Sequence, residues 1–520
     1  FFFKQKTAYE IKECDWSSDV CSSDLSTTGT YNIGIGPSTG VALTSGVDNI
    51  GIGGLALTAT TTGNDNIGLG VSALRDNTTG SNNVGIGTQA LRYNTTGSTQ
   101  TAVGYQAGYS GTTSASSSTY IGYQAGYANT GDAIDAFGYQ SLLANTTGGS
   151  NAGLGVWTLK SNTTGSYNTA VGRAALYSNT TSSYNTAVGY SAGYAQTTGV
   201  YNSYFGAYTG QSTSTGAYNT FIGGLDSGGN ATAGANTTGS YNTALGNGAL
   251  RSNTTASNNV AMGYQAGYSN QTGSRNTFIG NLAGYTATAA DGDVHIGSHA
   301  GYSQTTGLGN TFVGGRAAVG ANQGAGNSVT TGTYNTFIGG SACAAITTGS
   351  KNTILGNYSG NQGGLDIRTL SNHIVLSDGD GNWRIRCDSS QTFLPQAYSS
   401  TTASAANMFV ATDGSLYRST SALKYKQDIR DVEDFDISAL RAVRYKSKCT
   451  NDDQTKDHLG LIADEAADAG FEELVIRGAD GEIEGFQYER LTVVLLKSLQ
   501  TLKADLDATK AELATLKGQA

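Results

Sequence analysis

Between residues 26 and about 361, apolar and polar positions alternate in short runs of five or six residues. Each run is closed by a glycine, and clusters of Asn, Thr, Ser and Gly separate the runs. The segments YNTAVGRAAL from Tyr167, YNTAVGYSAG from Tyr184, YNTFIGG from Tyr218 and YNTALGNGAL from Tyr241 are variants of one unit. Its closing glycine recurs from Gly36, Gly53 and Gly70 through Gly172, Gly189 and Gly206 to Gly339 and Gly356, almost always in steps of 17 residues. An apolar residue stands before the glycine (Val171, Val188, Phe205, Ile222) and an Asn four before it (Asn168, Asn185, Asn202, Asn219). Alternation over so few residues predicts a short strand, and Asn-Thr-Thr-Gly predicts a turn. One short strand cannot bury its apolar face alone, but the next coil covers it, so the pattern predicts a mainly β fold, a β-solenoid or β-roll shaft over residues 26–361. Nineteen coils at about 4.8 Å make a stiff rod of roughly 90 Å. Asn at matching positions forms hydrogen-bonded ladders along such a stack. A coil of 17 residues encloses little interior, which Val, Ile and Ala fill thinly, so three chains wound about a common axis, a homotrimer, are expected.

The pattern changes near Gly360. Ile374–Leu376 and Trp383–Arg386 alternate around an Asp-Gly-Asp-Gly-Asn turn, which predicts a hairpin in a neck over residues 362–420. Asp378, Asp380 and Asn382 imitate the start of a calcium loop, but Trp383 stands where that loop needs Gly and no closing Glu follows, so a plain turn is predicted. Further on, Leu495, Leu499, Leu502, Leu506, Leu513 and Leu516 follow alternating spacings of four and three, with Thr509 in the gap. This is a heptad seam, and it predicts a coiled coil over about residues 490–517 that is marginal as an isolated helix.

Composition sharpens the division. Residues 421–520 hold 34 of the 67 charged residues but only 6 of the 74 glycines. The formal charge of −9 leaves no basic stripe for phosphates, so no nucleic-acid partner is expected. No run of about 20 apolar residues occurs, and no membrane insertion is expected. Residues 1–25 match neither regime and resemble an in-frame translation of a sequencing-library adapter, with Lys4 to Ile11 and Cys14 to Leu25 as its constant parts. On that reading they are not native, and Cys343, Cys387 and Cys449 remain, too scattered for a disulfide framework or a zinc site.

Several apparent motifs dissolve into the repeat. Glycine patterns such as GIGG recur in every coil, which removes the unique strand-to-helix context of a nucleotide loop. The Asn-Thr-Thr triplets match a glycosylation sequon but are read as turn chemistry. His295 and His299 have helical metal-pair spacing but flank a strand glycine, so no metal and no cofactor are expected. Tyr105 and Tyr109, Tyr190 and Tyr194, and Tyr264 and Tyr268 recur one and five places after their glycines. They are candidate contacts for a cell-surface polysaccharide or protein receptor, against the alternative that they stack on each other between coils. Residues 224–240 and 315–333 interrupt the repeat and are further candidate receptor loops.

The repeats resemble the head repeats of trimeric bacterial adhesins and the shafts of phage tail fibres. The last hundred residues resemble the auto-processing intramolecular chaperone domain that ends phage endosialidase tailspikes. The resemblance rests on TSALKYKQDI (Thr420 to Ile429), HLGLIADEAADAGFEELV (His458 to Val475) and YERLTVVLLKSLQTLKADL with Tyr488, Leu491 and Leu495. It implies a small α+β chaperone domain over residues 421–520, ending in the coiled coil. It also implies a serine-lysine dyad of Ser421 and Lys426 that cuts the chain once, between Thr420 and Ser421. Ser421 Oγ would attack the Thr420 carbonyl with Lys426 as base, neutral through burial in an apolar interface. The pair Ser419 and Lys424 shares the spacing but lacks the following Ile, and Ala422 and Lys424 stand where the family often has Asp and Arg. The expected function is a virion tail fibre or tailspike for host attachment. The alternatives are a trimeric adhesin on a bacterial cell surface and a tailspike that degrades polysaccharide, although no unique carboxylate pair of the glycosidase kind stands in the rod.

Overall fold

A computed structural model describes residues 28–110, 117–315, 324–389, 392–393, 408–410, 416–418, 427–430, 432, 436–448, 454–477 and 481–518, of which 408–410 and 416–418 in backbone only. The chain divides into two compact units, Phe1–Thr401 and Thr402–Ala520. The adapter-like residues 1–25 lie outside the described residues.

The first unit is a parallel β-solenoid with the 17-residue period. Nineteen strands of three residues, from Ile33–Ile35 to Thr353–Leu355, stack in strict register. Thr186, Ala187 and Val188, for example, lie opposite Ser203, Tyr204 and Phe205 of the next coil. Side chains alternate along a strand. Asn168 and Ala170 point inward and are fully buried, whereas Thr169 and Val171 face out. Of the Val, Ile and Ala expected to fill the interior, Ala does so at Ala170, Ala187 and Ala244, whereas the Val or Ile before the glycine faces out. Phe205, Ile222 and Leu245 are exposed, and the middle residues Tyr204, Phe221 and Ala244 form the core.

Among the described residues a single chain fills the interior of the coils, which therefore does not require three chains wound about one axis. The core also has a size rule. In most coils Leu or Gly stands four residues after the column glycine, and most of these glycines lie against an aromatic ring at the centre of their own or the next strand. Leu57, Leu74, Leu159 and Leu176 lie in coils whose strands have Gly51, Gly68, Gly153 and Ala170 at the centre. Tyr120 is instead enclosed by Gly108 and Gly126, Tyr204 by Gly193 and Gly210, and Phe278 by Gly267 and Gly284. Large is thus matched by absent side chain, as close packing requires. The same backbone serves both, with φ of 60° at Gly126 and 52° at Leu57.

The column glycine has a different reason. Gly189 has a φ of 141°, and a Cβ on it would lie 2.5 Å from the carbonyl oxygen of Gly206 in the next coil. Only Gly allows the coils to approach this closely.

Two buried Asn ladders run through the interior, the first interrupted at Ser118 and Ile134 and the second at Thr213 and Ala287. In the predicted one, the Asn185 amide donates to Asn168 Oδ1 at 3.0 Å, and Asn168 Nδ2 donates to the Ser182 carbonyl at 2.8 Å. The second is built by the Asn of the Asn-Thr-Thr triplets. Asn162 Nδ2 donates to Asn145 Oδ1 at 2.6 Å and to the Gly165 carbonyl at 2.9 Å. These side chains are fully buried, which explains the sequon pattern structurally.

The predicted hairpin is present, with Ile374–Ser377 antiparallel to Trp383–Cys387. Ile374–Ser377 also stacks in parallel on Thr353–Leu355, so the ladder runs one rung into the segment read as a neck, and the antiparallel partner turns its edge. In the second unit, strands Val443–Lys446 with Asp457–Gly460 and Val475–Arg477 with Ile483–Phe486 form two hairpins. The short helix Ala463–Asp468 and the helix Tyr488–Gly518 accompany them. A small core joins Ala466, Phe471, Leu474, Val475 and Val494.

Candidate functional site

The outer surface of the solenoid orders its tyrosines into columns, because residues at one place in the repeat lie directly above one another. Tyr105 stacks on Tyr123 with ring centroids 5.3 Å apart, and Tyr109 on Tyr127 at 4.7 Å. Tyr194 stacks on Tyr177 at 5.0 Å and Tyr268 on Tyr285 at 5.0 Å. Tyr190 lies tilted against Tyr208 at 5.0 Å. Tyr264, with Asn247 and Asn281 at the matching places of its neighbouring coils, has no ring stacked on it among the described residues. Ring faces are thus largely occupied by other rings, and the columns present phenol edges to solvent. Arginines line them: Arg92 lies 5.8 Å from the ring of Tyr109, Arg173 5.7 Å from that of Tyr190 and Arg251 5.5 Å from that of Tyr268. A hydrogen bond with Tyr93, reinforced by partial burial, raises the pKa of Tyr109.

The longest column is one that the sequence reading passed over. Tyr167, Tyr184, Tyr201, Tyr218 and Tyr241 stack at 4.9, 4.9, 5.1 and 4.9 Å. Each holds a left-handed backbone with φ of 57–61°, which is costly for a ring-bearing residue and is overridden by the coils above and below. Its signal was present as a Tyr five places before five successive glycines.

Of the candidate receptor loops, residues 224–240 are described and 316–323 lie outside the described residues. The first is a closed turn. The Asp226 carboxylate accepts from the Gly228 amide at 2.9 Å, the Asn230 amide at 2.8 Å and Gln265 Nε2 at 2.8 Å. Burial pushes its pKa up, but these bonds together outweigh burial and hold it low. Beside it lies an open cleft of about 220 Å³, lined by Gln211, Gly229, Ala231 and Arg251 among others.

His295 and His299 are not brought together as ligands. His295 is fully buried between Phe278 and Phe312, and His299 bonds to Ser298 Oγ through Nδ1. No group of three metal-ligating side chains forms among the described residues. Asp378 anchors a plain turn, accepting from the Asp380 and Asn382 amides and pairing with Arg384.

Thr420, Ser421 and Lys426 of the predicted dyad lie outside the described residues, as do Ser419 and Lys424. The terminal helix is described. Val494 is buried in the core of its unit, whereas Leu499, Leu502 and Leu516 are each about two-thirds exposed, and Leu495, Leu506 and Leu513 about half. The six leucines of the heptad seam therefore stand in solvent. Among the described residues, no helix is long and apolar enough to cross a membrane.

Comparison of the chain with family models, curated proteins and solved structures finds no match.

Proposed function

We propose that this chain is the shaft of a trimeric fibre of the phage-tail type, which binds a host surface. Its last hundred residues then act as an intramolecular chaperone that aligns three copies and is released by cleavage before Ser421. The observation that carries the reading is the exposed leucine seam on Tyr488–Gly518. A 31-residue helix with its heptad leucines in water gains its stability from partner helices. The solenoid supplies the complementary need. Its contacts between coils are far apart in sequence, and such β-pairing is slow and prone to misregister. A helical clamp that holds three chain ends together meets that need, and a dyad completed only in the assembled trimer makes release report correct assembly.

Receptor contact is assigned to the edges of the tyrosine columns and to the cleft beside Asp226, with a polysaccharide or protein as partner. The test is a denaturing gel of the chain expressed from Ser26. The reading predicts a shortened fibre and a fragment beginning at Ser421, while Ser421→Ala leaves one full-length band. Full-length bands from both would refute self-cleavage.

A further inference from the structure

The residue before each column glycine faces outward, and in all nineteen strands from Ile33–Ile35 to Thr353–Leu355 it is Val, Ile, Leu, Phe or Met. None of the nineteen is buried, and Leu154, Met262, Ile338 and Leu355 are each more than two-fifths exposed. The fold does not require this. The interior is filled by the middle residues of the strands, and the outward position two residues earlier is Thr in most rungs. A preference of strands for β-branched residues accounts for Val and Ile but not for Leu69, Leu154 or Met262. The two outward columns together carry one charged side chain, Asp135. Uninterrupted apolar character with charge excluded is the composition of an interface core, not of a solvated sheet face.

The strip is large enough to matter. Nineteen rungs at about 4.8 Å and three residues at about 3.3 Å give roughly 90 by 10 Å, or about 900 Å². A standard interface buries about 800 Å² per partner.

We propose that this strip is the seam along which copies of the chain pack side by side, parallel, with each rung against the same rung of its neighbours. A partner that covers the whole strip must present apolar groups at the same rise per rung over its full length. A second copy does so by identity. The inference rests on the proposed trimer and explains how it persists. Once the terminal helix has left with the released domain, cohesion must lie in the shaft, and the apolar column runs its entire length.

The experiment uses the Ser421→Ala full-length chain, with light scattering for mass and small-angle X-ray scattering for the cross-section of the shaft. A first variant carries Val188→Glu, Phe205→Glu and Ile222→Glu. A second carries Thr in the same three places, as in the neighbouring column, so that the strands keep a β-compatible residue. A control places Glu at Thr164, Thr181 and Thr198, an exposed turn column. The proposal predicts a trimer with one compact cross-section, locally widened in the Glu variant, less so in the Thr variant, and unchanged in the control, with circular dichroism constant throughout. A trimeric mass with the same cross-section in every variant would overturn the seam and leave the helical clamp standing. A monomeric mass for the parent chain would overturn the trimer and the seam together.

Discussion

Gly126 and Tyr120 show how far single residues decide this interior. Tyr120 fills the space that a leucine takes in other coils, so a side chain at Gly126 would run into the ring. Gly126→Leu is predicted to cost about 1–3 kcal/mol by overpacking. In a Tyr120→Ala background the same change should stabilise, because the new leucine fills the cavity as Leu57 does beside Gly51 and Gly68. Chemical denaturation of the four chains in this cycle measures the coupling. Zero coupling would refute the size rule.

A second residue-scale prediction concerns the coil where the ladder Asn is replaced by Asp293. An Asp cannot donate to the next carbonyl as Asn does, and Gln304 Nε2 does so instead, bonding both Asp293 Oδ2 and the Gly307 carbonyl. Burial raises the Asp293 carboxyl to about 7, against opposing bonds from Asn310 and Gln304 and with help from the nearby Asp291 charge. Burial lowers the neighbouring His295 imidazole to about 3. Unfolded Asp titrates near 4 and unfolded His near 6.5. Between about pH 4 and 6.5 the folded pair holds one proton, on Asp293, and the unfolded pair also holds one, on His295. These two groups therefore add no pH dependence in that window. Single substitutions expose each half. His295→Phe leaves the raised carboxyl, whose contribution is lost as pH rises from about 4 to 7. Asp293→Asn leaves the depressed imidazole, whose contribution is lost as pH falls from about 6.5 to 3. Melting midpoints of the two variants relative to the parent should therefore slope in opposite directions. Parallel slopes would contradict the assignment.

At the scale of the element, the rung and its ladders carry the solenoid. Asn168→Ala removes the acceptor of the Asn185 amide and the donor to the Ser182 carbonyl. Asn179 Nδ2 still donates to the Ser182 carbonyl at 3.0 Å, so it is the buried Asn185 amide that is left unpaired, at about 1–3 kcal/mol; the melting midpoint should drop, whereas Thr164→Ala on the exposed turn should leave it unchanged. For the terminal helix, Leu502→Asp with Leu506→Asp is predicted to abolish the trimer and to leave the hairpins of its unit folded, because those leucines lie outside its core. Light scattering with circular dichroism checks both halves.

The period was legible because the column glycine admits no substitute, and so it recurs without variation. The predicted Asn ladder was legible for a similar reason, since its backbone and side-chain bonds repeat in coil after coil. The second ladder was not, because Asn-Thr-Thr-Gly has the chemistry of a turn whether its Asn points in or out. Which strand face turns inward does not follow from apolarity, because the most apolar residue, Val171 or Phe205, faces out. The parity of the buried Asn168 and Asn202, counted forward by two, places Ala170 and Tyr204 inside instead. The column from Tyr167 to Tyr241 was visible as a pattern, but its stacking depends on ring orientation, which spacing alone does not convey.

For the whole molecule, the central claim is that three copies assemble, brought together by the helix seam and held along the apolar face. Each chain shields its own interior, so the proposed assembly rests on the outward leucines and aliphatic column and is not a condition for the coils to form. The most direct measurement is the mass in solution of the Ser421→Ala chain by static light scattering at micromolar concentration. The account predicts three times the 53.3 kDa of one chain. A particle of 53.3 kDa with intact β-structure would contradict it.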